Sequence, residues 1–164
     1  MTTLPLASVL AKDAGGGFAS DAEFDDALWL ALCERVKSIA DLGALPEVAK
    51  NYYASRYVEW EVGNGGFAQS VLNIPEYLEP GAQGFEALGK PEVASRIREA
   101  LTIYKAEVAA LPEVKPGNEP ALSDYFLNNA FSHLDEGLEG IGFWSDAERV
   151  LYVRSNREAL ASAA

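Results

Sequence analysis

The chain has 164 residues, with 25 acidic side chains against 13 basic ones and a net charge of −12. That length suits one domain around one sizeable core, and an apolar fraction of 49% excludes a generally disordered chain. The charge works against binding nucleic acid or anionic lipid directly and favours basic partners. The single cysteine, Cys33, excludes an internal disulfide. No apolar run reaches the roughly 18 residues of a membrane span, and Met1–Leu10 lacks the basic start and long apolar run of a signal peptide. A cytoplasmic protein is the expectation.

Residues 1–19 run into Gly15-Gly16-Gly17 and are expected to form a flexible lead-in, with one helical domain over 20–164. Ser20-Asp21-Ala22-Glu23 has capping-box spacing, and Phe24, Leu28, Ala31 and Leu32 follow at helical intervals; this helix is expected to stop near Leu42-Gly43. Pro46 opens a second helix that runs to about Val62, where Gly63-Asn64-Gly65-Gly66 interrupts it. Short helices are predicted around Phe67–Leu72 and Pro80–Leu88. A long one follows from Pro91 to Ala110, with Val93, Ile97, Leu101, Tyr104 and Val108 on one stripe. Four residues of 111–122 are Pro or Gly, which predicts a loop. A further helix is expected from Ser123, and a last one from Ser145-Asp146-Ala147-Glu148, a second capping-box match. No period-two strand or hairpin signal occurs, so the predicted fold class is all-α, a single compact multi-helix domain.

The chain carries no convincing catalytic signature, and no cofactor or metal is expected. Gly84 to Lys90 resembles most of a phosphate-binding loop. Pro91 stands where a magnesium-holding Ser or Thr belongs, and no strand precedes it; the stretch reads as a helix end at Gly89. His133, the only histidine, has neither a zinc-protease nor a hydrolase context and reads as structural. Cys33 reads as a small core residue.

The acids are unevenly placed. Residues 13–34 carry six acids and no base, residues 57–89 five acids and no base, and residues 106–148 nine acids and one base, Lys115. Asp21, Glu23, Glu47, Glu92, Asp124, Asp146 and Glu148 lie in predicted first turns, where each gains about 0.3–1 kcal/mol from the helix dipole; these seven account for just over half the acidic excess. Outside them lie close like-charge sets: Asp25 with Asp26, Glu76 with Glu79, and Asp135, Glu136 and Glu139. Like charges at helical spacing cost about 0.2–0.5 kcal/mol. A solvated acidic surface and a functional acidic face both account for the excess. On the functional reading these seven residues are the candidate partner-binding residues. DNA carries a phosphate every ~3.4 Å along a strand, and helical neighbours hold their Cβ atoms about 5–6 Å apart, near enough to imitate part of that array.

Tyr57-Val58-Glu59-Trp60-Glu61-Val62-Gly63-Asn64-Gly65-Gly66-Phe67-Ala68-Gln69, closing at Asn73, resembles the DNA mimic protein nineteen family. The family's Asn-Gly-Gly-Phe, its following Gln and its later Asn map onto Asn64, Gly65, Gly66, Phe67, Gln69 and Asn73. Phe85–Gly89, Leu134-Asp135 and Tyr152–Asn156 are also similar, so the resemblance covers roughly residues 24–160. It departs at Ser70 and Val71, where aromatic residues are expected. The resemblance implies an all-helical fold, a homodimer, no enzyme activity, and a role in occupying a transcription regulator by imitating DNA. The motif itself reads as architecture, a sharp helix exit that returns Phe67 to the core. Three functions stay open: a DNA mimic or inhibitor that occupies the basic face of a DNA-binding protein, an immunity or antitoxin-like protein that neutralises a basic toxin, and an enzyme with an unrecognised carboxylate site.

Overall fold

A computed structural model describes residues 3–110 and 130–161, the side chains of 109 and 110 excepted. The described residues form helices and connecting turns, with no strand among them, so the fold is all-α. In chain order the helices are α1 (Leu6–Ala14), α2 (Asp21–Cys33), α3 (Ile39–Ala44), α4 (Glu47–Asn73), α5 (Pro75–Ala87), α6 (Pro91–Ala110), α7 (Ser132–Asp135), α8 (Asp146–Ser155) and α9 (Arg157–Ala161). The expected loop over 111–122 and the helix start at Ser123 lie outside the described residues.

Within the stretch expected as a lead-in, residues 6–14 form helix α1. Leu6, Val9 and Leu10 recur at helical spacing and are buried in the common core. The Asp13 carboxylate, itself buried, receives Arg154 at 2.9 Å and also Arg157. The glycine run after α1 hid this short amphipathic helix, whose partners lie at the other end of the chain.

The first capping box forms nearly as read. The Ser20 hydroxyl accepts the Glu23 amide at 3.2 Å, and Glu23 reaches back to the Ala19 amide at 2.6 Å. The helix it opens ends at Cys33, earlier than expected, because Ser38 caps a separate α3: its hydroxyl accepts the Asp41 amide at 3.3 Å, while Asp41 accepts the Lys37 amide at 3.0 Å. Cys33 is half-buried at the core's edge, and burial pushes its thiol up.

The central helix α4 carries much of the core, including Tyr52, Val58, Phe67 and Val71. It is kinked where Gly65 and Gly66 leave helical geometry, so the expected break and the helix from Phe67 are both present. Ser70 and Val71 are fully buried, and the Ser70 hydroxyl donates to the Phe67 carbonyl at 2.9 Å, leaving no volume for aromatic rings.

Helix α5 starts at Pro75, not Pro80, because Pro75 occupies the first helical position. It lies close against α4: a Cβ on Gly81 would sit 2.5 Å from Val58 Cγ2, and one on Gly84 would strike the Asn51 carbonyl. Gly84 is therefore a helix-packing residue. Gly89 has φ 76°, its amide donates to Glu86 O at 2.9 Å, and the Lys90 amide donates to Phe85 O at 2.8 Å. That bond pair is a Schellman stop, the helix end expected there.

The first half of α6 buries Val93, Ala94, Ile97 and Ala100; further along the predicted stripe Leu101 and Tyr104 pack partly buried against the core, and Val108 is exposed. His133 is an exposed residue on α7, its Nε2 3.1 Å from Glu99 on α6. Helix α8 starts where expected, but its capping box does not form. The Ser145 hydroxyl donates locally to backbone carbonyls, its amide donates to Glu59 Oε2 of α4 at 2.9 Å, and Glu148 pairs with Lys90 at 2.7 Å.

Candidate protein-binding surface

The Asn64-Gly65-Gly66-Phe67 motif is held from two sides. Gly66 has φ 74°, in the left-handed region that side chains other than glycine disfavour. A Cβ there would lie 2.6 Å from the Asp135 carboxylate. That carboxylate accepts the Phe67 amide at 2.9 Å, capping the second half of α4 from the last residue of α7, far along the chain. Across the kink, buried Glu61 accepts Asn73 Nδ2 at 3.1 Å and Gln69 Nε2 at 3.4 Å. Gln69 and Asn73 thus tie the second half of α4 to the first, and Phe67 enters the core against Phe143, centroids 6.0 Å apart.

Nearly two turns before the kink, Glu59 forms a two-pronged pair with Arg149 of α8, at 2.7 and 2.8 Å. Arg149 is 0% exposed and also bonds Asp146. Burial works against its charge, but Glu59, Asp25 and Asp146 outweigh it and hold the guanidinium firmly protonated. Pairing of this kind lets a charge stay in a core. A second polar cluster adjoins it: Arg56 lies 3.0 Å from Asp25 and 2.8 Å from Asp26, and the Tyr52 hydroxyl donates to Asp25 Oδ1 at 2.7 Å. Burial pushes the Asp25 carboxyl up, against the pull of Arg56 and the Tyr52 hydroxyl.

The seven candidate acids meet different fates. Asp25 is 3% exposed and is committed to Tyr52 and Arg56. Glu79 shares Arg98 with Glu86, at 2.9 and 2.5 Å, and Asp135 caps the kink. Asp26 faces solvent although it touches Arg56. Glu76, Glu136 and Glu139 are exposed. They lie on α5 and in the loop after α7, apart in sequence from Asp25 and Asp26 on α2. What the structure gathers around Arg56 and Arg149 is instead Asp25, Asp26, Glu59 and Asp146.

Two prominent residues here escaped the sequence reading. Trp60 and Trp144 are 56% and 47% exposed and line one open groove with Arg56, Gly63, Asn64 and Asp146. A signal for Trp60 existed: it falls between the buried acids Glu59 and Glu61, on the helix side away from Val58 and Val62. Trp144 had none, since its place depends on packing over Gly63, 3.4 Å from that residue's Cβ direction. Among the described residues no group of three or more His, Cys, Asp or Glu is placed to hold a metal ion, and no helix is long and apolar enough to cross a membrane.

Residues 43–156 match the family described as DMP19-like protein. No curated protein and no solved structure matches the chain.

Proposed function

The chain belongs to the DMP19-like protein family, and from that premise we propose that it is a DNA mimic, a protein-binding module that occupies the basic face of a DNA-binding protein such as a transcription regulator. The observation that carries this reading is the set of carboxylates left over after internal pairing. Asp25, Glu59, Glu79 and Asp135 are engaged in holding the fold. Glu76, Glu136 and Glu139 remain exposed, and Asp26 and Asp146 keep open edges although paired. Stability does not call for the unpaired ones, and close like charges slightly oppose it. A field of that sign steers a basic surface toward the protein and repels DNA itself. The reading includes no catalysis and no direct nucleic-acid binding. A basic toxin would present the same charge to this surface, so partner identity separates the mimic from an antitoxin.

The test begins with capture from the native host at low salt, release at high salt and identification of the partner. Partner, labelled DNA and this protein are then titrated together. The expected result is displacement of DNA, with affinity falling steeply as salt screens exposed charges. A stable complex of all three components would refute the mimic and leave a solvated acidic surface as the better account.

A further inference from the structure

Trp60 and Trp144 flank a groove of about 290 Å³, and each indole is braced from behind. Trp60 stacks on Tyr57 with centroids 6.2 Å apart and planes at 22°, and Trp144 stands edge-on to Phe143 at 5.1 Å and 87°. Their orientation is therefore set before anything binds, which lowers the ordering cost of association. Exposed, braced tryptophans are typical anchors of protein interfaces.

The charge around the groove is also uneven. A neighbouring groove lined by Asp21, Asp25 and Asp26 shares Arg56 and Asp146 with it. Among the described residues, the cations paired with Asp25, Asp26, Glu59 and Asp146 are Arg56 and Arg149. Asp26 and Asp146 keep 73% and 74% of their side chains exposed, so each offers a carboxylate edge to a further donor. The molecule already combines these elements twice. Arg56 lies 5.1 Å from the Trp29 ring centroid while paired with Asp25 and Asp26. Arg154 lies 5.2 Å from the Phe24 centroid while paired with Asp13 and Asp21.

We propose that this groove takes an arginine side chain of the nucleic-acid-binding partner, with Trp60 and Trp144 standing in for bases and Asp146, which it shares with the neighbouring groove of Asp26, for a phosphate. The inference rests on the mimic reading and adds a location and a residue type to it. A guanidinium is a planar cation that stacks on an aromatic face while its N–H fork donates in two prongs to a carboxylate; a lysine ammonium can sit over a ring, as Lys12 does over Phe18, but has neither the planar stack nor the fork. Arginine planes stack on bases and pair with phosphates in the same way, so an indole beside a carboxylate reproduces what such an arginine meets on a nucleic acid.

The test uses the full chain with hexa-arginine and hexa-lysine peptides at low salt, following the three indole N–H resonances by NMR. Hexa-arginine is expected to shift Trp60 and Trp144 but not Trp29, and to bind more tightly than hexa-lysine. Trp60→Ala combined with Trp144→Ala should weaken hexa-arginine binding roughly five- to ten-fold with the far-UV circular dichroism unchanged. Asp146→Asn, which leaves both indoles in place, should weaken it as well. If hexa-arginine binds without moving either indole, or binds the double variant equally, the groove assignment falls while the acidic mimic stands. Equal indole shifts from both peptides would overturn the choice of arginine. Indole shifts that track protein concentration without peptide would give the face to a second copy and overturn the proposal. Failure of both peptides to bind at low salt would remove the mimic reading together with this one.

Discussion

The contact between Gly66 and Asp135 makes a quantitative prediction, because two separable costs meet at one atom pair. Replacing Gly66 by Ala at φ 74° strains the backbone by on the order of 1–3 kcal/mol. The new Cβ would also lie 2.6 Å from Asp135 Oδ2, so the carboxylate must withdraw from the Phe67 amide it now accepts at 2.9 Å. Loss of a cap costs about 0.5–2 kcal/mol. Gly66→Ala should therefore destabilise by roughly 1.5–5 kcal/mol, and at this chain length each kcal/mol lowers Tm by about 2–4 °C. Asp135→Ala should cost about 1 kcal/mol by itself. In the Gly66→Ala background it should cost much less, since the cap is already broken and its removal relieves the crowding. Urea unfolding of the parent, both single variants and the double variant, followed by far-UV circular dichroism, measures this cycle. Additivity within about 0.3–0.5 kcal/mol would refute the shared contact. Unchanged melting of Gly66→Val with loss of partner binding would make the motif a recognition element instead of architecture.

Arg149→Met should destabilise by about 3–5 kcal/mol, because it strands the Glu59 carboxylate in the core; adding Glu59→Gln should recover part of that loss in the same unfolding assay. Burial favours the protonated form of Asp25 in the folded chain. The stability this contributes is present below about pH 4 and is lost as pH rises through the raised value. Stability of the parent minus that of Asp25→Asn should accordingly fall as pH rises from about 3 to about 7, and a difference that grows with pH would contradict the assignment. Replacing Glu76, Glu136 and Glu139 together by Gln should slow association with the basic partner while leaving the melting curve unchanged or slightly raised; stopped-flow binding and calorimetry check the two halves. Light scattering at micromolar concentration should report a homodimer, and a monomer would remove that expectation.

Much of the helical order was legible in the residues because it obeys rules that act within about four positions. Ser20 and Glu23 close a cap, Gly89 stops α5, and the 3.6-residue recurrence of apolar side chains marks α2, α4 and α6. The same short range explains the errors. Pro80 passed for a helix start because nothing local says that Pro75 is already one, and the Ser145 box failed because Glu59, 86 positions away, takes the Ser145 amide.

The candidate surface depended still more on distance along the chain. Apolar periodicity and composition determined that the protein is helical and acidic. They could not say which acids face outward. Asp25 and Asp26 are adjacent in sequence, yet one is buried against Tyr52 and the other faces solvent. Asp135 is as exposed as Glu136 and Glu139, yet its carboxylate alone of the three caps Phe67, 68 positions away. Arg149 and Glu59 are 90 positions apart, Arg154 and Asp13 141. A carboxylate's role follows from which donor the fold brings within about 3 Å, and only packing α2, α4 and α8 together supplies those donors and sets Trp144 across the groove from Trp60.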